Sequence, residues 1–310
     1  MQAESGQGGP VQAVSAHVDG ILLMVVGMLV IPGIDAIAKY LSDDIAAGQV
    51  AWSRFFFQTL ILAPVVLLRR RSPGLFRRPF VHAARGALIA SATLMFFASL
   101  KYLPMADAIA IFFVEPFFLT LISAVFLGET IGWRRVLAIA VGFAGALVII
   151  RPSYDVFGLA ALLPIGAAIC FAIYLALTRS LAQGTDPYAM QLSAGVSGLV
   201  VMSLALGFGW TSGIEVLTPV WPDPWQWALL ALLGVVGTVA HLFVVNAFKR
   251  APASLLAPFQ YLEIISASLL GYLVFDHFPD PLTWLGIAII VSSGLYVLHR
   301  ERSVARNAQP

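Results

Sequence analysis

Residues 100–116 read LKYLPMADAIAIFFVEP, and residues 248–264, which read FKRAPASLLAPFQYLEI, repeat the same pattern. Three polar or conformationally special residues match at one constant offset: Lys101 with Lys249, Pro104 with Pro252, and Glu115 with Glu263. Each copy begins with a basic residue and a proline, continues as an apolar run, and contains one carboxylate within that run. This pattern predicts that the chain is an internal duplication.

The composition of the chain indicates contact with lipid. Hydrophobic residues make up 60% of the 310 residues and charged residues 11%, whereas soluble domains average about 45–50% apolar and about 25% charged residues. The net charge is +2, and no basic stripe with interleaved aromatic residues is present, so no nucleic-acid partner is expected. A lone cysteine, Cys170, forms neither an intrachain disulfide nor a cysteine metal site. No metal or cofactor is expected.

About ten apolar segments are long enough to cross a bilayer, which requires about 20 residues in a helix. They cover residues 18–40, 46–68, 81–100, 104–127, 133–150, 157–178, 187–208, 224–248, 253–275 and 281–299. Only residues 209–223 form a connection long enough to be called a loop. The predicted fold is therefore all-α, a polytopic membrane protein with about ten transmembrane helices.

The distribution of lysine and arginine predicts the orientation of the chain. With the N-terminus in the cytoplasm, 13 of the 18 basic residues fall in cytoplasmic segments and three, Lys39, Lys101 and Arg151, in outer ones. Arg54 and Arg85 lie within spans. Positive residues remain on the cytoplasmic side of membrane proteins, so we expect both termini in the cytoplasm and the helices in a bacterial inner membrane.

The duplication and the number of spans together predict an inverted repeat. Five spans are an odd number of crossings, so the second half enters the membrane from the opposite side. We expect a first repeat over residues 18–151 and a second over residues 152–300, with a disordered cytoplasmic tail at 1–17 and a cytoplasmic tail at 301–310. In secondary transporters, inverted repeats place the substrate site near the midplane between the halves.

Several short motifs resemble those of the drug/metabolite transporter superfamily, in its ten-span branch with two EamA domains. The similarity is carried by Arg54-Phe55-Phe56 in the second span, by Phe126-Leu127-Gly128-Glu129 after the fourth, and by residues 142–150. The second half departs from the family pattern, because Phe275-Asp276-His277 stands where Gly-Glu is usual. Within the superfamily, MADAIAIFFVEP is similar to bacterial riboflavin importers, and APFQYLEIISASLLGYLVF is similar to S-adenosylmethionine carriers.

Glu115 and Glu263 are the first candidates for a functional site. At about 1.5 Å per residue they lie about 16 Å into their spans, near the middle of a hydrocarbon core about 30 Å thick. An ionisable residue inside a span is costly and often functional. The two carboxyl groups either titrate or bind substrate, or they are structural groups bonded to Tyr261, Gln260 or a neighbouring span.

Arg54 is the second candidate, because a guanidinium does not deprotonate and needs a partner or water. It either clamps an anionic or carbonyl group of the substrate, holds Glu115, or belongs to a structural ion pair. Asp35 and Lys39 are four residues apart, a spacing that predicts an ion pair along the helix. Extension of the Lys39 side chain to the membrane interface also accounts for this lysine without a function.

The remaining candidates lie around these charges. Asp107 caps its helix or lines an outer vestibule, and His241 lines a pathway or makes an interhelical hydrogen bond. Aromatic residues cluster in sequence around Glu115, Glu263 and Arg54, among them Phe113, Tyr261 and Trp52. Aromatic walls with a few polar groups suit a flat ring such as the isoalloxazine of riboflavin.

These observations favour a secondary transporter that moves a small metabolite by alternating access, with riboflavin uptake as the specific prediction. S-adenosylmethionine, an amino acid or another metabolite, carried in or out, is the alternative. An intramembrane enzyme is disfavoured because the sequence contains neither His-Glu-x-x-His nor a nucleophile elbow. A scaffold would leave the intramembrane carboxylates unexplained. The oligomeric state stays open, with a homodimer as one form.

Overall fold

The computed structural model describes residues 10–68, 78–127, 133–182, 186–250, 256 and 259–307. These ranges contain eleven α-helices, and their bounds are α1 Pro10–Leu41, α2 Ala47–Leu68, α3 Pro79–Leu100, α4 Met105–Phe112, α5 Glu115–Leu127, α6 Trp133–Phe157, α7 Leu163–Ala182, α8 Pro187–Ser212, α9 Pro224–Arg250, α10 Leu262–Phe275 and α11 Pro281–Asn307. Short 3-10 helices occupy Gly158–Leu162 and Glu215–Leu217. The all-α prediction is confirmed.

Six of these helices contain stretches long and apolar enough to cross a membrane: Val18–Leu41, Ala47–Leu68, Pro79–Leu100, Gly158–Thr178, Tyr188–Ser212 and Pro224–Ala247. Shorter apolar stretches cover Ala140–Ile149, Leu262–Phe275 and Pro281–Tyr296. With the pair α4 and α5, which together form one crossing, the described residues fit about ten spans.

Parts of the two predicted tails lie outside the described residues, at positions 1–9 and 308–310. Helix α1 begins at Pro10 and α11 ends at Asn307. The long connection is also shorter than expected, because α8 extends to Ser212.

Turn chemistry sets the ends of the helices. At α8, Asp186 accepts backbone hydrogen bonds from Tyr188 and Ala189, Pro187 occupies the first turn, and Gly213 ends the helix at φ 69°. At α9, Asp223 and Gln226 exchange backbone-to-side-chain hydrogen bonds, an arrangement that satisfies two amide groups at the helix start.

The fourth and ninth spans are broken, which the predicted continuous segments did not anticipate. Between α4 and α5 the backbone turns at Phe113 and Val114. Pro116 explains this break, since it has no N–H to donate to the carbonyl of Phe112. In the ninth span the corresponding turn falls at Tyr261, directly before α10. Each broken helix therefore resumes with its intramembrane glutamate in the first turn.

The helix packing follows a pseudo-twofold relation between the two halves. Under the repeat, α2 corresponds to α8, α6 to α11 and α4–α5 to α10, and each of these matched pairs is in contact. Other contacts also come in symmetric sets: α1 packs on α9 as α3 packs on α7, and α2 packs on α9 as α3 packs on α8. The fold is thus two intertwined five-helix repeats of inverted topology, with broken helices next to the pseudo-axis.

Candidate substrate site

Arg54 lies at the centre of the polar residues in the bundle. Its Nη1 donates to Thr93 Oγ1 at 2.6 Å, and its Nη2 lies 3.3 Å from His241 Nε2. The other ring nitrogen of His241, Nδ1, lies 2.9 Å from the carbonyl oxygen of Gly237. A carbonyl only accepts, so Nδ1 carries the proton and Nε2 accepts from Arg54. One guanidinium therefore joins α2, α3 and α9.

One carboxylate, Asp35, lies close to this guanidinium without pairing with it, and a second, Glu263, lies near Asp35. Asp35, which is 7% exposed, is within electrostatic range of both Arg54 and Glu263. No carboxylate of the described residues approaches Arg54 within 4.0 Å. Neither Asp35 nor Glu263 has a hydrogen bond to another described residue. We call Asp35, Arg54, Thr93, His241 and Glu263 the central cluster; it holds two carboxyl groups against one guanidinium.

Phe113 and Tyr261 stack on each other where the two broken helices meet. Their ring centroids are 5.4 Å apart with an interplanar angle of 29°. The two residues occupy equivalent positions in the repeat, so the pseudo-axis passes between their rings. Tyr261 also lies within electrostatic range of Glu115. A Cβ atom built on Gly294 would overlap the Tyr261 hydroxyl, so glycine at this position admits the phenol.

A row of aromatic rings runs beside the central cluster from α3 to α7. Phe96 packs on Phe112 at 5.4 Å between centroids, Phe112 on Phe171 at 5.5 Å, and Phe171 on Tyr174 at 5.6 Å. All four are half-buried. Tyr174, at the end of this aromatic row, is within electrostatic range of Arg54. The cluster is thus bordered by ring faces and edges that suit a flat ligand.

The structure brings together some of the predicted site residues and separates others. Arg54 contacts His241, Glu263 lies within electrostatic range of Asp35, and Phe113 and Tyr261 stack beside Glu115, which is buried. The carboxylate in electrostatic range of Arg54 is Asp35 rather than Glu115. Gln260 lies half-buried directly before the break at Tyr261.

Trp52 and Asp107 point elsewhere. Trp52 donates from Nε1 to Ser203 Oγ of α8 at 2.9 Å and stacks on Phe56. Asp107 accepts from Thr283 Oγ1 at 3.2 Å, which ties α4 to α11 near the end of the bundle where α1 joins α2. Neither residue belongs to the central cluster.

The ion pair predicted between Asp35 and Lys39 is wrong. Lys39 Nζ instead donates to the carbonyl oxygens of Leu100 at 2.8 Å and Leu103 at 2.9 Å. These carbonyls follow the last turn of α3, where the helix leaves them without amide partners. Lys39 therefore links α1 to the turn between α3 and α4. Asp35 does not pair with Lys39 and belongs to the central cluster.

Three residues of the site escaped sequence reasoning. Asp35 was assigned to Lys39 by spacing, and Thr93 and Tyr174 lie in apolar stretches where a hydroxyl is common. A carboxylate three residues after Pro32 within a span was a usable signal for Asp35, because both features are costly in a membrane helix. Nothing in the sequence distinguishes Thr93 from its neighbours.

Polar contacts hold together the end of the bundle where α1 joins α2. The side chain of Gln49 donates to the carbonyl of Val220 and accepts from its amide, both at 2.9 Å. Lys101 and Glu215 form an ion pair at 2.5 Å. In this exposed pair the hydrogen bond and the charge of Lys101 lower the pKa of Glu215, and Glu215 raises the pKa of Lys101. The helices are tied together at this end.

A polytopic helical bundle with inverted repeats, broken helices at its pseudo-axis and charged groups between the halves has the architecture of a secondary transporter. The model of the EamA-like transporter family matches residues 18–151 and 158–298. The chain belongs to this family.

Two curated relatives match nearly end to end. The S-adenosylmethionine uptake transporter of Rickettsia prowazekii is 30% identical over 292 residues, which cover 94% of this chain and 96% of the relative. The riboflavin transporter of Rhizobium johnstonii is 30% identical over 296 residues, with 93% of each chain covered. A solved crystal structure superposes with a TM-score of 0.59 at 18% identity, covering 96% of this chain and 99% of the other; this likeness concerns the fold. The protein is therefore a membrane-embedded metabolite transporter.

Proposed function

We propose that the protein carries S-adenosylmethionine, or a closely similar zwitterion with an added positive charge and a flat ring, across a bacterial inner membrane. The observation that supports this substrate is the charge balance of the central cluster. Asp35 lies near the Arg54 guanidinium, Glu263 lies near Asp35, and neither carboxylate is hydrogen bonded to a described residue. A ligand with one carboxylate and two cationic centres, the ammonium and the sulfonium, complements this set.

Each group of the ligand has a partner of suitable chemistry. The carboxylate pairs with the Arg54 guanidinium, which offers a planar fork of donors. The ammonium and sulfonium lie near Asp35 and Glu263, and the adenine stacks against the aromatic residues near the pseudo-axis. The name of the Rickettsia prowazekii relative, an S-adenosylmethionine uptake transporter, supports the same assignment.

Riboflavin is the second candidate, and a different observation favours it. The stacked pair of Phe113 and Tyr261 provides broad ring surface for an isoalloxazine, and the Rhizobium johnstonii relative is named a riboflavin transporter. Riboflavin carries no charge, so Asp35 and Glu263 would have to take up protons or water when it binds. The charge balance therefore ranks it behind S-adenosylmethionine.

In this proposal both termini lie in the cytoplasm, and the halves rock about the pseudo-axis to expose the site to one side at a time. Helix α4 ends beside that axis and helix α10 begins beside it, and the broken backbone at these points permits bending. No ATP-binding P-loop occurs in the sequence, so accumulation draws on an ion or solute gradient or on a partner chain.

Uptake assays in a bacterial strain that lacks importers for both compounds test the proposal. Cells expressing the protein should accumulate radiolabelled S-adenosylmethionine, and excess unlabelled S-adenosylmethionine should suppress the signal more strongly than riboflavin does. Growth of a riboflavin-requiring strain on trace vitamin, without uptake of S-adenosylmethionine, would reverse the ranking. Uptake of neither compound above the level of cells with the empty vector would refute both.

A further inference from the structure

A second buried arginine lies in the half of the bundle nearer to the termini. Arg85 of α3 is 1% exposed, and its side chain is the largest of the fully buried side chains in the described part of the chain. Its Nε donates to Thr178 Oγ1 of α7 at 2.9 Å, and its Cζ lies 5.1 Å from the ring centroid of Tyr174. The guanidinium thus sits between α3 and α7, one turn from the end of α7.

The terminal nitrogens of Arg85 meet no oxygen acceptor among the described residues. Nη1 lies 3.5 Å from His82 Nδ1. That nitrogen also lies 3.0 Å from Ser193 Oγ, whose own hydroxyl donates to the carbonyl of Met190. Ser193 Oγ is therefore the acceptor, and His82 Nδ1 carries a proton that faces it. A nitrogen that carries a proton does not accept a hydrogen bond from Arg85. His82 Nδ1 and Arg85 Nη1 are therefore two neighbouring donors without a hydrogen bond between them.

A guanidinium in this setting has a strong preference for an anion. Arginine stays charged, and a buried charge without a counter-charge is costly. No carboxylate lies within 4.0 Å of Arg85 in the described part of the chain. The ring of Tyr174 supplies a cation–π contact, which is weaker than a paired carboxylate.

Tyr174 also links this arginine to the central cluster. The same ring that lies under Arg85 is within electrostatic range of Arg54. Thr93, the hydrogen-bond partner of Arg54, and Arg85 are both on α3. Eight residues separate them, which corresponds to about 12 Å along the helix. Two guanidinium groups therefore lie along one side of α3, with Tyr174 between them.

We propose that Arg85, with Tyr174 beside it, is a second carboxylate-binding position, to which the substrate's carboxylate passes from Arg54 on the way to the cytoplasm. This inference rests on the proposed function, which supplies the carboxylate and the direction of the cytoplasm. The second position lowers the free energy of the substrate after it leaves Arg54, because a carboxylate in an apolar bundle otherwise has no counter-charge. Release to the cytoplasm then depends on Arg85, whereas binding from the outside depends on Arg54.

The first test uses acetate as the probe and needs no transport. The melting temperature of the purified full-length protein in lipid nanodiscs is measured while sodium acetate replaces sodium chloride at constant ionic strength. The wild type should gain stability, the Arg54→Gln variant should keep part of the gain, and the Arg54→Gln/Arg85→Gln double variant should lose it. The same gain in the double variant, or none in Arg54→Gln, would overturn the second position.

The second test measures sidedness. In proteoliposomes of known orientation, Arg85→Gln should raise the half-saturation concentration for radiolabelled S-adenosylmethionine on the side of the termini about tenfold and leave the other side unchanged. The Arg85→Lys variant, which keeps the charge, should show a smaller change on the same side. An equal effect on both sides would indicate a structural role and refute the proposal. If the wild type does not transport S-adenosylmethionine at all, the proposed substrate fails, and the acetate measurement still decides the role of Arg85.

Discussion

At the scale of single residues, the contacts of Arg54 show that its guanidinium acts through its planar shape as well as through its positive charge. One planar group serves Thr93 on α3 and His241 on α9 at the same time. An ammonium has three donors on one atom and does not reproduce this fork. The shape of the guanidinium, as well as its charge, therefore matters for the site.

Arg54→Lys should reduce uptake at least tenfold at normal protein level. Losing one charge-assisted hydrogen bond costs about 1.5–3 kcal/mol, which corresponds to about tenfold or more. Initial rates of radiolabelled substrate uptake measure this. Arg250→Lys is the matched control, since Arg250 is exposed at the end of α9, and it should transport normally. Near-normal uptake by Arg54→Lys would mean that a positive charge alone suffices.

Glu263→Gln should abolish gradient-driven accumulation, whereas exchange of labelled for unlabelled substrate should persist with a raised half-saturation concentration, because Asp35 still faces the cationic groups of the substrate. Glutamine keeps the shape of the side chain and most of its hydrogen-bonding capacity, but it does not titrate. Accumulation and exchange are compared in the same proteoliposomes, with Glu215→Gln, an exposed loop carboxylate, as the control. Accumulation that is unchanged, with an unchanged pH profile, in both Glu263→Gln and Glu115→Gln would remove proton coupling through these residues.

Gly294→Ala should lower the melting temperature and impair transport, because the new methyl group overlaps the Tyr261 hydroxyl. Adding Tyr261→Phe removes that hydroxyl, so the double variant should recover part of the lost stability, a coupling of about 0.5–3 kcal/mol. Gly207→Ala is the control, since a Cβ there meets nothing within 4 Å and alanine favours the helix by about 1 kcal/mol. Equal melting temperatures for Gly294→Ala and the wild type would contradict the close contact.

At the scale of helices, the break between α4 and α5 sets the position of Glu115. The turn at Phe113 and Val114 places this carboxyl group in the first turn of α5, where amide groups without helical partners favour a negative charge. The same arrangement recurs with Glu263 in α10. Broken helices thus present both glutamates next to the pseudo-axis.

Pro116→Ala should restore a more continuous helix, keep or raise thermal stability, and reduce transport. The substitution returns the amide that the carbonyl of Phe112 lacks, which favours the helix, and it turns Glu115 away from its present neighbours. Melting temperature and uptake are measured together. Pro164→Ala is the control, since Pro164 occupies the first turn of α7, where proline breaks no hydrogen bond. Full transport by Pro116→Ala would show that the break is dispensable.

At the scale of the whole molecule, the pseudo-twofold packing joins the halves so tightly that neither has a separate core. Helix α1 of the first half packs on α9 and α10 of the second, and α3 packs on α7 and α8. Between α6 and α11, the added Cβ of Gly286 would approach the carbonyl oxygen of Gly145 to 2.8 Å, so only glycine allows this helix pair to approach so closely. We therefore expect the protein to unfold as one unit.

The orientation is a prediction at this scale. Reporter fusions after His299 and within residues 69–78 should report the cytoplasm, and fusions within residues 213–223 the outer side, because basic residues accumulate at the termini end. Paired alkaline phosphatase and fluorescent protein fusions measure this. A cytoplasmic signal from residues 213–223 would contradict both the orientation and the direction of transport proposed above.

The amino-acid sequence by itself determined that the chain is an all-helical membrane protein of about ten spans, that it is duplicated, and that it resembles EamA transporters. These features follow from local hydropathy and from repeated motifs, both of which depend only on residues that are close together in the sequence. The sequence also marked Glu115, Glu263 and Arg54, because a charge inside an apolar run is visible without any structure.

Only the tertiary structure decided which of these groups meet. Arg54 and His241 are 187 residues apart, and Asp35 turned out to neighbour Arg54 and Glu263 instead of pairing with Lys39. The stacking of Phe113 on Tyr261 likewise depends on the rotation of two broken helices about their axes. Hydropathy indicates that a helix crosses the membrane, but the neighbours of each side chain depend on that rotation and on packing against helices distant in sequence.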